Sequence, residues 1–126
     1  MIMQICKSFK FDSAHFLPYY KGKCNSLHGH SWVLQVTLSG YVNDNTGMII
    51  DFKEFSSKIQ EIIETYDHTC LNDFVFNPTC ENILESLGEE ILKVATELDV
   101  DLAKLRLYEG PDSYIEKMYS MITRRV

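Results

Sequence analysis

The stretch "CNSLHGHSWVLQVTLSGYV", residues 24–42, alternates apolar and polar side chains over its second half. Apolar residues occupy every second position from Trp32 to Leu38, and mostly polar residues lie between them. Because side chains two positions apart on a strand share a face, we predict a strand over residues 30–42 that buries one face. By the same count, His28 and His30 lie on that buried face with Trp32.

Three other segments are also predicted to be strands. In residues 3–15, Phe9, Phe11 and Ser13 share the parity of His15, which places His15 on the apolar face of a first strand. Alternate positions from residue 103 to Glu109 are mostly apolar and predict a third strand. After the turn signal "GPDS", residues 114–123 are expected to form a fourth.

Two helices are predicted between these pairs of strands. Residues 52–66 repeat apolar side chains at helical spacing after Asp51, which forms a pattern like a capping box with Glu54. A second helix is expected to begin within "NPTCE", residues 77–81, capped by Asn77 or Thr79. The order ββααββ predicts one α+β domain over residues 1–126, with both helices on one face of a four-stranded antiparallel sheet.

The composition limits the possible functions. The protein has 126 residues, of which 45% are hydrophobic and 24% charged, as is typical of one globular domain. A net charge of −6 without a basic stripe argues against a nucleic-acid partner. No segment has the length of a membrane span and the N-terminus lacks a signal-peptide pattern, so we expect no membrane partner and a cytoplasmic protein with free thiols.

Three histidines, His15, His28 and His30, fall on the predicted buried faces of two strands. A buried imidazole needs a partner for its nitrogen atoms, and one metal ion satisfies three imidazoles together. Three neutral imidazoles with a vacant fourth position are typical of catalytic zinc, so these residues are candidate metal ligands. The alternative is a set of core histidines satisfied by hydrogen bonds.

Cys24 precedes His28 by four positions and has two possible roles. It can be the fourth ligand of a closed Cys/His zinc site, or a separate thiolate near the metal that acts as a base. Its position in the loop "PYYKGKCNS", outside the strand, favours the second role. Lys21 and Lys23 in the same loop are weaker candidates for binding an anion, because exposed lysines are usually only solvated.

Two further places carry candidate carboxylates. Asp67 and His68 follow the first helix, where the Asp can orient the imidazole as a proton relay. On these residues alone, a helix C-terminal histidine stabilised by the macrodipole is favoured. Glu109 continues the apolar parity of its strand, so its carboxylate faces inward and needs a partner. That partner is either a planar ligand with two parallel N–H donors or an arginine, Arg106 or Arg124.

Six stretches in order resemble the 6-pyruvoyltetrahydropterin synthase superfamily, and most closely its bacterial 6-carboxytetrahydropterin synthase branch: "FDSAHFLP", "CNSLHGHSW", "GMIIDF", "YDHTCLND", "NPTCE" and "LYEGPDSY". The resemblance spans nearly the whole sequence. The C-x3-H-G-H spacing that begins at Cys24 is similar to that of the carboxy synthases, whereas the pyruvoyl synthases have two more residues between thiol and histidine. Cys80 departs from the pattern of the family, which usually has Ser or Thr there.

The resemblance implies a role for each candidate. The Zn²⁺ ligands would be His15, His28 and His30, the catalytic residues Cys24, Asp67 and His68, and the pterin-binding residues Glu109 and Thr79. The resemblance also implies the tunnelling fold (T-fold), in which subunits join their sheets into a barrel and two such rings stack as a homohexamer, a dimer of trimers. Active sites then lie between subunits.

The implied reaction is that of a lyase acting on a small pterin triphosphate. 7,8-Dihydroneopterin triphosphate would yield 6-carboxy-5,6,7,8-tetrahydropterin, acetaldehyde and triphosphate, on the route to queuosine. Two alternatives stay open. One is a 6-pyruvoyltetrahydropterin synthase, which eliminates triphosphate from the same substrate and leaves the carbon–carbon bonds of its side chain intact. The other is a non-enzymatic zinc module closed by Cys24.

Overall fold

The computed structural model describes residues 1–119. Its elements in sequence order are β1 (Ile2–His15), β2 (His28–Tyr41), α1 (Phe52–Tyr66), β3 (Thr69–Cys70), α2 (Cys80–Glu97), β4 (Asp101–Gly110) and β5 (Ser113–Met118). Short 3-10 turns lie at Lys23–Asn25 and Leu71–Asp73. The predicted order ββααββ is confirmed with one addition, the two-residue strand β3 between the helices.

The strands form one sheet in the order β3-β1-β2-β4-β5. Every neighbouring pair is antiparallel except β1 and β3, which run parallel. The register between β1 and β2 places Phe11 opposite Trp32 and His15 opposite His28. The described sheet has five strands rather than four, because β3 adds a short edge beside the end of β1.

One face of this sheet carries the hydrophobic core. Trp32, Leu34 and Val36 on β2 are fully buried, as the alternation predicts. Helix α1 packs on β1 and α2 packs on β4, and both contribute to the same core cluster. Burying one side chain of this size stabilises the fold by about 1.5–3 kcal/mol. The predicted α+β layer with both helices on one face is confirmed.

Helix α1 has the predicted bounds and begins after an aspartate cap. The side chain of Asp51 accepts a hydrogen bond from the Lys53 amide at 2.8 Å. The capping-box pattern implies the Glu54 amide as the donor, one residue later. The observed hydrogen bond still satisfies one of the free N–H groups of the first turn.

Helix α2 begins at Cys80, and Thr79 rather than Asn77 is its N-cap. The Thr79 hydroxyl oxygen accepts a hydrogen bond from the Asn82 amide at 3.1 Å. This bond fixes the first turn of α2, which lies next to the end of β4. No helix among residues 1–119 combines the length and apolar character that a bilayer crossing requires.

The end of β4 is irregular and the last strand is shorter than predicted. The register between β4 and β5 shifts between Tyr108 and Gly110, so Glu109 has no partner in this ladder. A bulge of this kind bends a strand and changes the direction of a side chain, and bulges are common beside active sites. Strand β5 ends at Met118, and residues 120–123 of the predicted strand lie outside the described part of the sequence.

Candidate active site

Three imidazole rings meet where β1 ends and β2 begins. His15 and His28 lie opposite each other in the register, and His30 follows on the same face of β2. The ring centroids are 4.6 Å apart for His15 and His28, 5.2 Å for His15 and His30, and 4.9 Å for His28 and His30. One nitrogen from each ring lies within 4.8 Å of the other two. The structure therefore brings these three predicted residues together.

Backbone carbonyl groups orient two of the rings. Nδ1 of His15 lies 2.8 Å from the carbonyl oxygen of Pro78, and Nδ1 of His28 lies 2.7 Å from that of Ser26. Because a carbonyl oxygen only accepts, each Nδ1 carries the hydrogen and each Nε2 presents a lone pair. Among residues 1–119, Nε2 of His15 and Nε2 of His30 are buried without a hydrogen-bond partner. Buried, unpartnered ring nitrogens gathered in one place fit a divalent ion such as zinc.

The surroundings favour the neutral form of two rings. Burial is the main cause that lowers the pKa of His15, and the neighbouring His28 adds to it, against the opposing effect of the Pro78 carbonyl. Burial also lowers the pKa of His30, although Glu109 acts in the opposite direction. Neutral imidazole is the form that binds a metal, so both rings are ready to act as ligands at neutral pH.

Cys24 lies in the connection between β1 and β2, within the turn Lys23–Asn25. Its carbonyl oxygen accepts a hydrogen bond from the Leu17 amide at 2.8 Å. This bond links the beginning of the connection to the turn that contains Cys24. The thiol is partly buried and free, and it is not part of the imidazole group whose ligand atoms lie within 4.8 Å of one another. This arrangement favours a separate thiol over a closed Cys/His tetrahedron. Lys21 and Lys23 are exposed.

Glu109 lies beside the imidazoles, at the irregular end of β4. Its Oε1 is 3.7 Å from Nε2 of His30, and its Oε2 accepts a hydrogen bond from the Cys80 thiol at 2.8 Å. The side chain is 37% exposed. A carboxylate in this position is held by its neighbours and is still accessible to a ligand.

The internal salt bridge considered for Glu109 does not form with Arg106. Nη2 of Arg106 lies 2.7 Å from Oε1 of Glu116, and its Nε donates to the same oxygen at 2.8 Å. Arg124 lies outside the described residues. Within residues 1–119, no Lys or Arg side chain forms an ion pair with Glu109. Among the described residues, no cationic side chain therefore competes with a ligand for this carboxylate.

Asp67 and His68 form a pair just after α1. Nδ1 of His68 lies 2.9 Å from Oδ2 of Asp67, and the other oxygen of Asp67 accepts a hydrogen bond from the Asp12 amide at 2.8 Å. That backbone bond is the main cause that lowers the pKa of Asp67, and His68 adds to it. His68 lies beyond the helix with a φ of 56°. Its ring is oriented by Asp67, which favours the relay interpretation over that of a helix-terminal histidine.

This pair is not joined to the three imidazoles within one subunit. Asp67 and His68 cluster with the carboxylate of Asp12. Since side chains alternate along a strand, Asp12 lies on the opposite face of β1 from His15. Ser31 donates a hydrogen bond to Asp12 at 2.6 Å from the adjacent strand. The imidazole group and the Asp–His pair are therefore separate clusters on opposite sides of the sheet.

Thr79 lies in the sequence between Pro78, which contacts His15, and Cys80, which contacts Glu109. Its hydroxyl oxygen is engaged as the cap of α2, but a hydroxyl that accepts one hydrogen bond still has a hydrogen to donate. On one side of Thr79, the Pro78 carbonyl binds His15, and on the other side, the Cys80 thiol binds Glu109. Residues 78–80, at the start of α2, thus contact both the metal-ligand candidate His15 and the carboxylate of Glu109.

Known proteins share this sequence pattern and this fold. The sequence profile of the 6-pyruvoyl tetrahydropterin synthase family matches residues 4–119. The chain belongs to this family. A 6-carboxy-5,6,7,8-tetrahydropterin synthase of Haemophilus influenzae is 30% identical, with 91% of this chain and 98% of that protein covered. A dihydroneopterin monophosphate aldolase of Pyrococcus furiosus is 33% identical, with 84% and 89% covered. The structure of Caenorhabditis elegans 6-pyruvoyl tetrahydropterin synthase matches with a TM-score of 0.85 and 26% identity, covering 95% of this chain and 97% of that one.

Membership of this family confirms the predicted T-fold topology of the single chain and identifies the protein as a pterin synthase-type enzyme of the lyase kind. The predicted homohexamer stays a prediction. The matched range contains every candidate site residue named above except Arg124. The exact reaction differs among the relatives, which include both a carboxytetrahydropterin synthase and an aldolase.

Sequence reasoning missed the groups that hold the site residues in place. Two of them are the backbone carbonyls of Pro78 and Ser26, which any residue type supplies and which no sequence pattern identifies. The third is the thiol of Cys80, whose only signal was that it departs from the family pattern. Its contact with Glu109 depends on how α2 packs against β4.

Proposed function

We propose that this protein is a zinc-dependent 6-carboxy-5,6,7,8-tetrahydropterin synthase, which converts 7,8-dihydroneopterin triphosphate and water to 6-carboxytetrahydropterin, acetaldehyde and triphosphate. The observation that carries the proposal is the group of three imidazoles, with two buried and unpartnered Nε2 atoms, beside the accessible carboxylate of Glu109. Residues 1–126 would act as one domain, in the cytoplasm, on the route to queuosine.

The zinc ion would be held by His15, His28 and His30. Three neutral nitrogen ligands suit Zn²⁺, and the exclusion of Cys24 from the group supports a vacant fourth position. Bound zinc supplies a Lewis acid for the side-chain oxygens of the substrate. The carbonyls of Pro78 and Ser26 keep two of the rings in the tautomer that presents Nε2.

The pterin ring would be bound by Glu109. Its 2-amino group and ring N3–H form two parallel donors, which match the two oxygens of a carboxylate as a guanidinium does. The absence of a cationic partner for Glu109 among the described residues supports this role. Thr79 has a hydroxyl hydrogen available for a further contact. Positioning the ring in this way sets the substrate side chain beside the imidazole group.

Proton transfers would be carried out by Cys24 and His68. The Cys24 thiolate accepts the proton that leaves a carbon atom in the side chain of the substrate. His68, whose Nδ1 faces Asp67, exchanges protons through its other nitrogen. The position of the Asp–His pair on the far side of the sheet supports an active site completed by a second copy of the protein, as in a homohexamer.

A second candidate reaction is the aldol cleavage of dihydroneopterin monophosphate. The 33% identity to an enzyme of that name supports this candidate. Both reactions break a carbon–carbon bond in the side chain of the pterin, and both need a base and a polarised oxygen. They differ in their two-carbon product, which is acetaldehyde in the synthase reaction and a phosphorylated aldehyde in the aldolase reaction.

The test is a product analysis with zinc-loaded protein. The protein is incubated separately with dihydroneopterin triphosphate and with the monophosphate, and the pterin and aldehyde products are quantified. The proposal expects acetaldehyde and 6-carboxytetrahydropterin in equal amounts from the triphosphate. Pyruvoyltetrahydropterin without acetaldehyde would identify a pyruvoyl synthase instead, and efficient cleavage of the monophosphate alone would identify an aldolase. Glu109→Ala serves as the inactive control.

A further inference from the structure

Cys80 is the first residue of α2, and none of the chemistry described above uses it. Its side chain is partly buried, and its Sγ lies 2.8 Å from Oε2 of Glu109. We infer that Cys80 is a positioning residue, which donates its S–H to Oε2 and holds the Glu109 carboxylate in the orientation that receives the pterin ring. This inference rests on the proposed function only in taking a pterin as the ligand of Glu109.

The thiol is a hydrogen-bond donor rather than a nucleophile. Burial is the main cause that raises the pKa of Cys80 far above its usual value, and the hydrogen bond to Glu109 and the charges of Glu109 and Glu81 act in the same direction. The start of a helix ordinarily favours a thiolate. Here burial and the adjacent carboxylates outweigh that effect, so the sulfur keeps its hydrogen and the hydrogen is directed to Glu109.

A thiol has properties that suit this task. Because S–H is a weak donor, it orients the carboxylate and leaves the negative charge of Glu109 in place for the donors of a ligand. A Lys or Arg here would neutralise that charge. The other oxygen of Glu109 faces His30 at 3.7 Å, so the carboxylate is held between α2 on one side and a metal-ligand candidate on the other.

Contacts at the start of α2 hold the Cys80 thiol in place. The Thr79 cap fixes the first turn of α2, and the adjacent Pro78 is bonded to His15. The sulfur is thereby fixed relative to the imidazole group as well as to β4. An unsupported glutamate at a strand bulge would sample several rotamers, and ordering it on binding would reduce affinity. The hydrogen bond from Cys80 removes part of that cost before the ligand arrives.

The test compares Cys80→Ala, which removes the donor, with Cys80→Ser, which keeps one. Two quantities are measured: the KM and kcat for dihydroneopterin triphosphate with zinc-loaded protein, and the Kd for neopterin by fluorescence titration of metal-free protein. Cys80→Ala is expected to raise both KM and Kd by about three- to tenfold, the loss typical of one hydrogen bond, with little change in kcat. Cys80→Ser is expected to restore both values to within about twofold of the wild type.

Cys70→Ala is the matched control, because Cys70 is another free and partly buried cysteine, and its contact is with Asn72. Unchanged Kd and KM in Cys80→Ala would overturn the inference. A loss that Cys80→Ser does not rescue would also overturn it, since the thiol would then act only by filling space. Wild-type protein that does not bind neopterin would overturn both this inference and the proposed function. Neopterin binding without acetaldehyde formation would overturn only the proposed reaction.

Discussion

The carbonyl oxygen of Pro78 accepts a hydrogen bond from Nδ1 of His15 over 2.8 Å, and this bond joins the end of β1 to the segment before α2. The orientation of a candidate metal ligand therefore depends on an element 63 residues away in sequence. Second-sphere bonds of this kind fix the tautomer and direction of an imidazole, and their loss typically lowers metal affinity by about 10- to 100-fold.

His28→Ala is expected to abolish stable zinc binding, because it removes one of three ligands. The zinc content after dialysis, measured by elemental analysis, should fall from about one ion per subunit to near zero. The matched control is His68→Ala, which removes the histidine outside the imidazole group and should leave the zinc content unchanged. Full zinc retention in His28→Ala would contradict the assignment of this group as the metal site.

Cys24→Ala is expected to keep zinc and fold but to lose turnover. Removal of a catalytic proton acceptor typically lowers the rate by about 10²- to 10⁴-fold. The measurements are zinc content, thermal unfolding and acetaldehyde formation. Cys6→Ala is the control, because Cys6 is an exposed cysteine on β1. If Cys24→Ala loses its metal, the site is a closed Cys/His tetrahedron and Cys24 is a ligand rather than a base.

His68→Ala and Asp67→Asn are each expected to reduce kcat and to leave the zinc content and stability nearly unchanged. The reason is that the pair lies at the surface, on the other side of the sheet from the metal-ligand candidates. Asp44→Asn, which changes an exposed carboxylate in the loop after β2, is the control for loss of charge. The measurements are steady-state kinetics, zinc content and thermal unfolding, and an unchanged kcat in both variants would exclude the proton relay.

Mixing inactive variants tests whether the Asp–His pair serves a neighbouring copy. Oligomers reassembled from Cys24→Ala and His68→Ala subunits should regain measurable acetaldehyde formation, since some sites then combine an intact thiol with an intact His68. Mixtures that stay as inactive as either variant alone would show that both residues must come from the same subunit.

The metal-free protein is expected to lose thermal stability as the pH falls from about 7.5 to about 5.5. Burial lowers the pKa of His15 and of His30 in the folded state below the ordinary value of 6.5. Between these values the unfolded protein binds protons that the folded protein does not, so acidification favours unfolding. The melting temperature of zinc-stripped protein should drop over this range, and it should drop less in His15→Asn. An equal drop in both proteins would contradict the expected effect.

Gly88→Ala is expected to destabilise the fold even though alanine is the better helix former. A Cβ at Gly88 in α2 would overlap the hydroxyl of Tyr119. Forcing extra atoms into a packed contact costs about 1–3 kcal/mol, against a gain of up to about 1 kcal/mol from replacing a helical glycine. Urea unfolding measures the difference. Adding Tyr119→Phe removes the overlapping oxygen and should recover the loss, whereas equal effects of Gly88→Ala in both backgrounds would contradict this account.

The sequence predicts those parts of the site that depend on counting along one element. Strand alternation alone places His15, His28 and His30 on one face, because the period of two holds along each strand. The same reasoning predicts that Glu109 faces inward. The bounds of α1 follow from helical spacing, and residue preferences near helix ends limit the cap of α2 to Asn77 or Thr79 without deciding between them.

Other features depend on contacts between elements that are distant in sequence. The strand β3 has two residues, too few for any periodicity, and it forms because the backbone leaving α1 meets the edge of β1. His68 adopts the left-handed backbone conformation. Its residue type does not predict this, because only glycine adopts that conformation readily. The bond between Cys80 and Glu109 requires knowledge of how α2 lies on β4. These contacts determine the partners of the site residues, which is why their surroundings were not predicted.

The register of β1 and β2 continues to the last pair, His15 opposite His28. The segment that joins them is therefore a loop that leaves the sheet at His15 and returns to it at His28. Its internal bond from the Leu17 amide to the Cys24 carbonyl leaves the pairing of the strands untouched. Insertions or deletions in this loop therefore shift the Cys24 thiol without changing the face of the sheet on which any of the three imidazoles lies. For protein engineers, it is the segment to transplant between relatives or to randomise when a new activity is sought beside an unchanged group of imidazoles.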